Sequence, residues 1–145
     1  MEPQNLVARV LLASALLGLR AFDDAQAPFE RIDADVPGDS IGALGIVQSH
    51  ALAGRVQAAR GAFAALRTRF GDTRVGPYRM AIASSRLGDA DDAFAWLDRA
   101  ATAHDLNLVC LAVDPSFDAL REDSRWAPAL ARYGLPLRDN RVRAC

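Results

Sequence analysis

Two histidines and two cysteines, His50, His104, Cys110 and Cys145, are the residues of this 145-residue chain whose types suit soft-metal ligation or thiol chemistry. A zinc site needs three or four such ligands converging on one point. No Cys-x-x-Cys, His-x-x-x-His or paired-carboxylate spacing accompanies them, so no coordination shell assembles locally and no metal is expected. His104 and Cys110, six residues apart, are the one pair that could be imagined as base and nucleophile. Two cysteines, one of them at the last position, make no disulfide framework, and both read as free thiols. The glycines at 54, 61, 71, 76 and 88 follow no strand and so form no phosphate-cradling loop. Asp23, Asp24, Asp89, Asp91 and Asp92 fall in the first turns of helices, where negative charge favours the helix dipole, and read as structural. The chain is therefore expected to be noncatalytic and free of cofactors.

Charge narrows the partners. With 17 basic and 18 acidic side chains and a net charge of −1, the chain lacks the positive excess that phosphate binding needs, so no nucleic acid or acidic membrane is expected. The length favours one compact domain with a core that needs no staples. Alanine fills 29 positions and lysine none, a mix suited to closely packed helices. The apolar run from Leu6 to Leu19 imitates a signal-peptide core, and Asp24-Ala25-Gln26-Ala27 a cleavage site. Glu2 leads it, however, and Arg9 and Arg20 bracket a run too short to span a bilayer, which predicts a cytoplasmic location.

The elements that must position any site are helices. Breakers at Val36-Pro37-Gly38, Gly71-Asp72, Gly88-Asp89, Asp114-Pro115 and Gly134-Leu135-Pro136 separate segments with helical rather than alternating periodicity. Paired helices are predicted at about 5–19 and 22–34, 39–53 and 55–70, and 77–87 and 89–104, an all-α chain. The pairs recur every 34 residues. Ala25, Ala59 and Ala93 form one column; Phe29, Phe63 and Leu97 another; Ile32, Leu66 and Ala100 a third. Leu12, Ile46 and Met80, then Ala13, Val47 and Ala81, keep the same period, and Gly54 and Gly88 mark the turn between paired helices. Alanine at a crossing lets two backbones approach, and the large residue one turn later fills the space beside it. Phe63 thereby stands in the core, where truncation to alanine would carry a full core penalty.

Ala25, Phe29 and Pro37 have the spacing of the tetratricopeptide repeat, which the chain resembles over residues 5–104. The third pair and the segment after it resemble the last repeat and capping segment of bacterial regulatory proteins such as multidomain adenylate cyclases, protein kinases and winged-helix regulators. That likeness rests on Pro77-Tyr78, Leu87-Gly88-Asp89, Ala93-Phe94, Trp96-Leu97, Asp114-Pro115, Phe117-Asp118, Leu120-Arg121, Arg125-Trp126 and Gly134-Leu135-Pro136. The resemblance implies three helix pairs in a right-handed superhelix, at about 5–38, 39–72 and 73–106, within a single domain 1–136. A helical cap at 107–136 and a flexible tail at 137–145 complete it. In the cap, Asp114 can N-cap a helix with Pro115 in its first turn, and Asp123 or Ser124 can start a last helix ending at Gly134. Phe117, Leu120, Trp126, Leu130 and Tyr133 are expected to cover the last repeat. The likeness also puts Cys110 where an apolar residue packs, so Cys110 is expected to be buried and unreactive and Cys145 exposed.

Tetratricopeptide arrays bind through a concave groove lined by the first helix of each repeat. That geometry assigns Val10, Leu44 and Tyr78 to one groove column, and Ser14, Gln48 and Ile82 to the next. Leu17, Ala51 and Ser85 form another, flanked by Leu11, Gly45 and Arg79 and by Gly18, Leu52 and Arg86. The family's carboxylate clamp needs lysines and asparagines that these columns lack. Candidate binding residues are Ser14, Gln48, Tyr78, Arg79, Ile82 and Arg86. The two arginines either hold acidic groups of a peptide or meet Asp118 or Asp123 of the cap. The expected function is binding a protein or peptide partner, with self-association through the N-terminal repeat an open possibility. The other reading is a ligand-sensing or regulatory domain of a bacterial signalling or transcriptional system.

Overall fold

The computed structural model describes residues 3–136, with side chains from Asn5 onward; the expected tail 137–145, with Cys145, lies outside the described residues. The elements are α1 (Pro3–Gly18), α2 (Phe22–Asp35), α3 (Ile41–Leu52), α4 (Val56–Val75), α5 (Pro77–Arg86) and α6 (Ala90–Thr102). Next in the chain are two 3-10 segments, η1 (Leu106–Cys110) and η2 (Pro115–Leu120), then α7 (Trp126–Arg132). Among the described residues there is no strand. The backbone of α4 breaks at Gly71 (φ 69°), so regular helix stops where Gly71-Asp72 predicts. Consecutive helices pack together through α4; α3 also meets α1 and α5, α5 pairs with α6, η1 lies on α6 and η2 on α5.

The turns between paired helices share one construction. Arg20, Gly54 and Gly88, spaced by 34, all have positive φ (63°, 75° and 79°). The next residue's N–H reaches back to close each helix: Ala21 to the Leu16 carbonyl, Arg55 to His50 and Asp89 to Ser84, each at 2.9 Å. This is a left-handed C-terminal cap, free of steric cost for glycine but not for arginine. His104 (φ 53°) ends α6 the same way.

The predicted columns largely form the core. Ala25, Ala59, Ala93, Ala13, Val47, Ala81, Ile32, Leu66 and Ala100 are buried, as are Phe29, Leu97 and Met80. Two members depart. Leu12 is 58% exposed, because no helix among the described residues stands before α1 to cover it. Phe63 is only half-buried at the core's edge, with the Arg67 guanidinium 5.8 Å from its ring centre, so its truncation does not carry a full core cost. Gly45, which the repeat period assigns to the groove, is instead buried where α3 crosses α2. A Cβ there would stand 2.0 Å from the Phe29 ring, and one at Gly42 would stand 2.4 Å from the Asp33 backbone nitrogen.

The segment after α6 packs back on α5 and α6. Asp114 accepts the Ser116 N–H at 2.8 Å, setting Pro115 in the first turn of η2 as its sequence predicts. Phe117, Leu120, Trp126 and Leu130 are buried in one cluster with Leu97 and Phe94, and Tyr133 packs against it. Arg125 binds Asp91, and Asp98 accepts from both Arg132 and the Tyr133 hydroxyl. The hydroxyl and the guanidinium hold the Asp98 carboxyl below the usual carboxylate range.

Cys110 corrects an expectation. It is exposed, because the three-residue period of η1 turns Leu108 and Leu111 inward and leaves Val109 and Cys110 outward. In a Cys145→Ser background, Cys110 is expected to react with Ellman's reagent in the native state about as fast as in denaturant. Strong protection of the native thiol would show that η1 packs otherwise.

Candidate ligand cleft

Ser14 and Gly18, and Gln48 and Leu52, are four residues apart on their helices, so each pair faces one side of α1 or α3. Arg86 continues the Gly18 and Leu52 column onto α5. These residues line a cleft of about 450 Å³. Its floor is α3, with Gln48 and Leu52. One wall is Leu17 of α1, Arg20 of the following turn and Phe22 at the start of α2; the other is Arg86 with Asp114, which caps η2, and Ser116 and Asp118 of η2.

Three of the six predicted residues thus meet in one place, and three do not. Tyr78 is buried rather than groove-lining: η2 folds over the first half of α5, and the Tyr78 hydroxyl donates to Asp114 Oδ2 at 2.8 Å. Burial, reinforced by Asp114, pushes the phenol's pKa upward. Leu44 of the same column is buried too. Arg79 turns to the α2–α3 loop, donating to Ser40 Oγ at 2.9 Å and pairing with Asp39 at 3.2 Å. Ile82 packs against the core, and Ser85 is buried with its hydroxyl on the Ser116 carbonyl.

Arg86 remains in the cleft with little to hold it. Its closest polar partner is Ser116 Oγ at 3.5 Å, and its Nε is buried with no hydrogen bond. Burial lowers the guanidinium pKa, against the opposing pull of Asp114 and Asp118. Neither of those carboxylates pairs with it. Asp114 accepts from Tyr78 and Ser116, and Asp118 from Arg121 at 2.8 Å. Asp123 goes to Arg125, so the expected cap partners of Arg79 and Arg86 are otherwise engaged.

Sequence reasoning missed Arg20, Phe22 and the η2 residues as parts of this site. Arg20 was detectable, since it falls in the same 34-residue column as the turn glycines Gly54 and Gly88. The placement of η2 had no local signal. Two smaller crevices, one bordered by Leu12, Pro28 and Arg31 and the other by Ile46, Ala62 and Ala65, are lined by residues 34 positions apart. A further 34 residues on from Ala62 stands Trp96, whose buried indole takes up the corresponding space.

His50 is accounted for locally: its Nδ1 accepts from Arg55 Nε at 3.1 Å. Among the described residues no three His, Cys, Asp or Glu side chains stand close enough to hold a metal ion, and no helix is long and apolar enough to cross a membrane. The described residues therefore define an all-helical fold with a mixed polar and apolar cleft lined from several helices. No protein-family model, curated protein or solved structure matches it.

Proposed function

We propose that this chain is a noncatalytic interaction module of tetratricopeptide-like architecture, three helix pairs in a right-handed superhelix whose concave cleft receives a peptide segment of a partner protein. The observation that carries this reading is the cleft itself. Side chains from α1, α3, α5 and η2 converge on it, and its volume lies in the range of roughly 300–1,000 Å³ usual for ligand sites. It combines an apolar wall with polar groups that have no internal use: neither Ser14 nor Gln48 has a side-chain hydrogen bond among the described residues, and Arg86 has only the long contact to Ser116. Such convergence suits recognition, and the cleft contains no base positioned against a nucleophile.

Site-specific photocrosslinking tests this. Benzoylphenylalanine placed at Gln48 or Leu52 is expected to capture a protein partner in cells, whereas the same probe at Thr68 or Ala95, exposed on second helices, is not. Adducts formed only from the second helices would move the site to the outer face and sink the proposal. Arg79 is not a useful probe, since its bond to Ser40 and its ion pair with Asp39 mix binding with stability.

A further inference from the structure

We infer that the cleft selects peptides carrying an acidic side chain about two to four residues from a bulky apolar one, the carboxylate seated on Arg86 and the apolar group against Leu17, Phe22 and Leu52. The inference rests on the reading of the cleft as a peptide site and specifies what that site accepts.

Arg86 is the anomaly from which it starts. Five described arginines are half-buried, and four of them have a carboxylate: Arg9 with Asp35, Arg55 with Asp23, Arg79 with Asp39, Arg121 with Asp118. Arg86 alone has none, and its Nε is buried without a partner. Asp114 and Asp118 act on this half-buried guanidinium without forming an ion pair with it, so a bound anion would supply the direct charged contact that it lacks. Arg20, on the opposite wall, has no carboxylate among the described residues either and lies over the Phe22 ring at 5.9 Å. The cleft's own carboxylates are meanwhile engaged by Tyr78, Ser116 and Arg121. What the cleft leaves unused is rich in donors, and its complement is an acceptor with negative charge.

The apolar requirement and the spacing come from the repeat. Leu52 and Arg86 occupy the same position on neighbouring helices, and neighbouring helices stand about 8–10 Å apart. An extended peptide advances roughly 3.3 Å per residue, so about three residues separate a side chain on Leu52 from one on Arg86. Gln48 lies between the walls, with a carboxamide able to give to and accept from the backbone of such a peptide.

The test is a selection of random twelve-residue peptides, displayed internally so that no chain terminus is free, on the immobilised full-length chain. Winning sequences are expected to share Asp or Glu two to four residues from Leu, Ile, Phe, Met or Trp. For a winning synthetic peptide, Glu→Gln is expected to weaken binding about tenfold or more, the loss of a charge-assisted hydrogen bond. Arg86→Met should abolish the difference between the Glu and Gln peptides without lowering the melting midpoint, since it removes an unpaired charge and keeps the apolar stem. Should that variant fail to fold, the Glu and Gln comparison on the wild-type chain still decides. Winners with no acidic preference, or indifference to Glu→Gln, would overturn the inference while leaving the cleft a peptide site. No enrichment of any peptide would overturn both. Phosphoserine in place of Glu binding at least tenfold tighter would overturn the carboxylate assignment in favour of a phosphopeptide.

Discussion

Phe117→Ala is expected to destabilise the chain by about 3–5 kcal/mol, lowering the melting midpoint by roughly 10 °C. Phe117 is fully buried, and its ring meets Tyr78 edge-on at 5.5 Å and Trp126 at 6.5 Å. It thereby joins η2 and α7 to α5 within one buried cluster. Removing the ring leaves a cavity among groups with little freedom to collapse, because Tyr78 is tied to Asp114 and Ser85 to the Ser116 carbonyl. The effect reaches the cleft, since Asp114, Ser116 and Asp118 of η2 form one of its walls. Urea titration read by tryptophan fluorescence checks this. A loss below about 1 kcal/mol would be too small for a phenyl ring at this site and would show that η2 does not pack there.

The second large effect comes from the smallest side chains. A glycine inside a helix ordinarily costs about 0.5–1 kcal/mol relative to alanine, so helix propensity alone predicts that Gly42→Ala and Gly45→Ala stabilise. The crossing of α2 and α3 predicts the reverse. At Gly42 a methyl group would stand 2.4 Å from the Asp33 backbone nitrogen and 2.6 Å from its Cα, atoms that cannot move unless the helices part. At Gly45 it would enter the Phe29 ring. Overpacking of this kind costs about 1–3 kcal/mol or more, enough to outweigh the propensity gain, so both variants are expected to melt below the wild type. Gly61 is the control. It is exposed on α4 with open space around it, and Gly61→Ala is expected to stabilise by about 0.5–1 kcal/mol. Stabilisation by all three substitutions would show that α2 and α3 do not approach as closely as described.

Helices, their ends and much of the core could be read from sequence because each rests on local physics. Periodic apolar residues, Gly71 and Gly88 at the breaks, and Asp114 before Pro115 act within a few residues of themselves. The alanines at 25, 59 and 93 were legible for a related reason: each is fully buried where its helix packs closely on a neighbour, and a small side chain suits such a crossing. Helix α1 also shows the limit of that reasoning, since Leu12 keeps the 34-residue spacing and lacks the neighbour that buries Met80.

By itself, then, the sequence determined an all-helical chain of antiparallel helices, and it carried Ser14, Gln48 and Arg86 into one cleft through their spacing. Tertiary structure decided what lies over what. Sequence spacing does not say on which side of α5 the cap folds; in the fold η2 covers Tyr78 and becomes a wall of the cleft, and η1 turns Cys110 outward. Nor does it say which carboxylate an arginine will meet. Arg79 pairs with Asp39, 40 residues earlier, while Arg86, seven residues on along the same helix, meets none. Ion pairs and helix crossings depend on distances set by the packing of whole elements, to which residues far apart in the chain contribute equally.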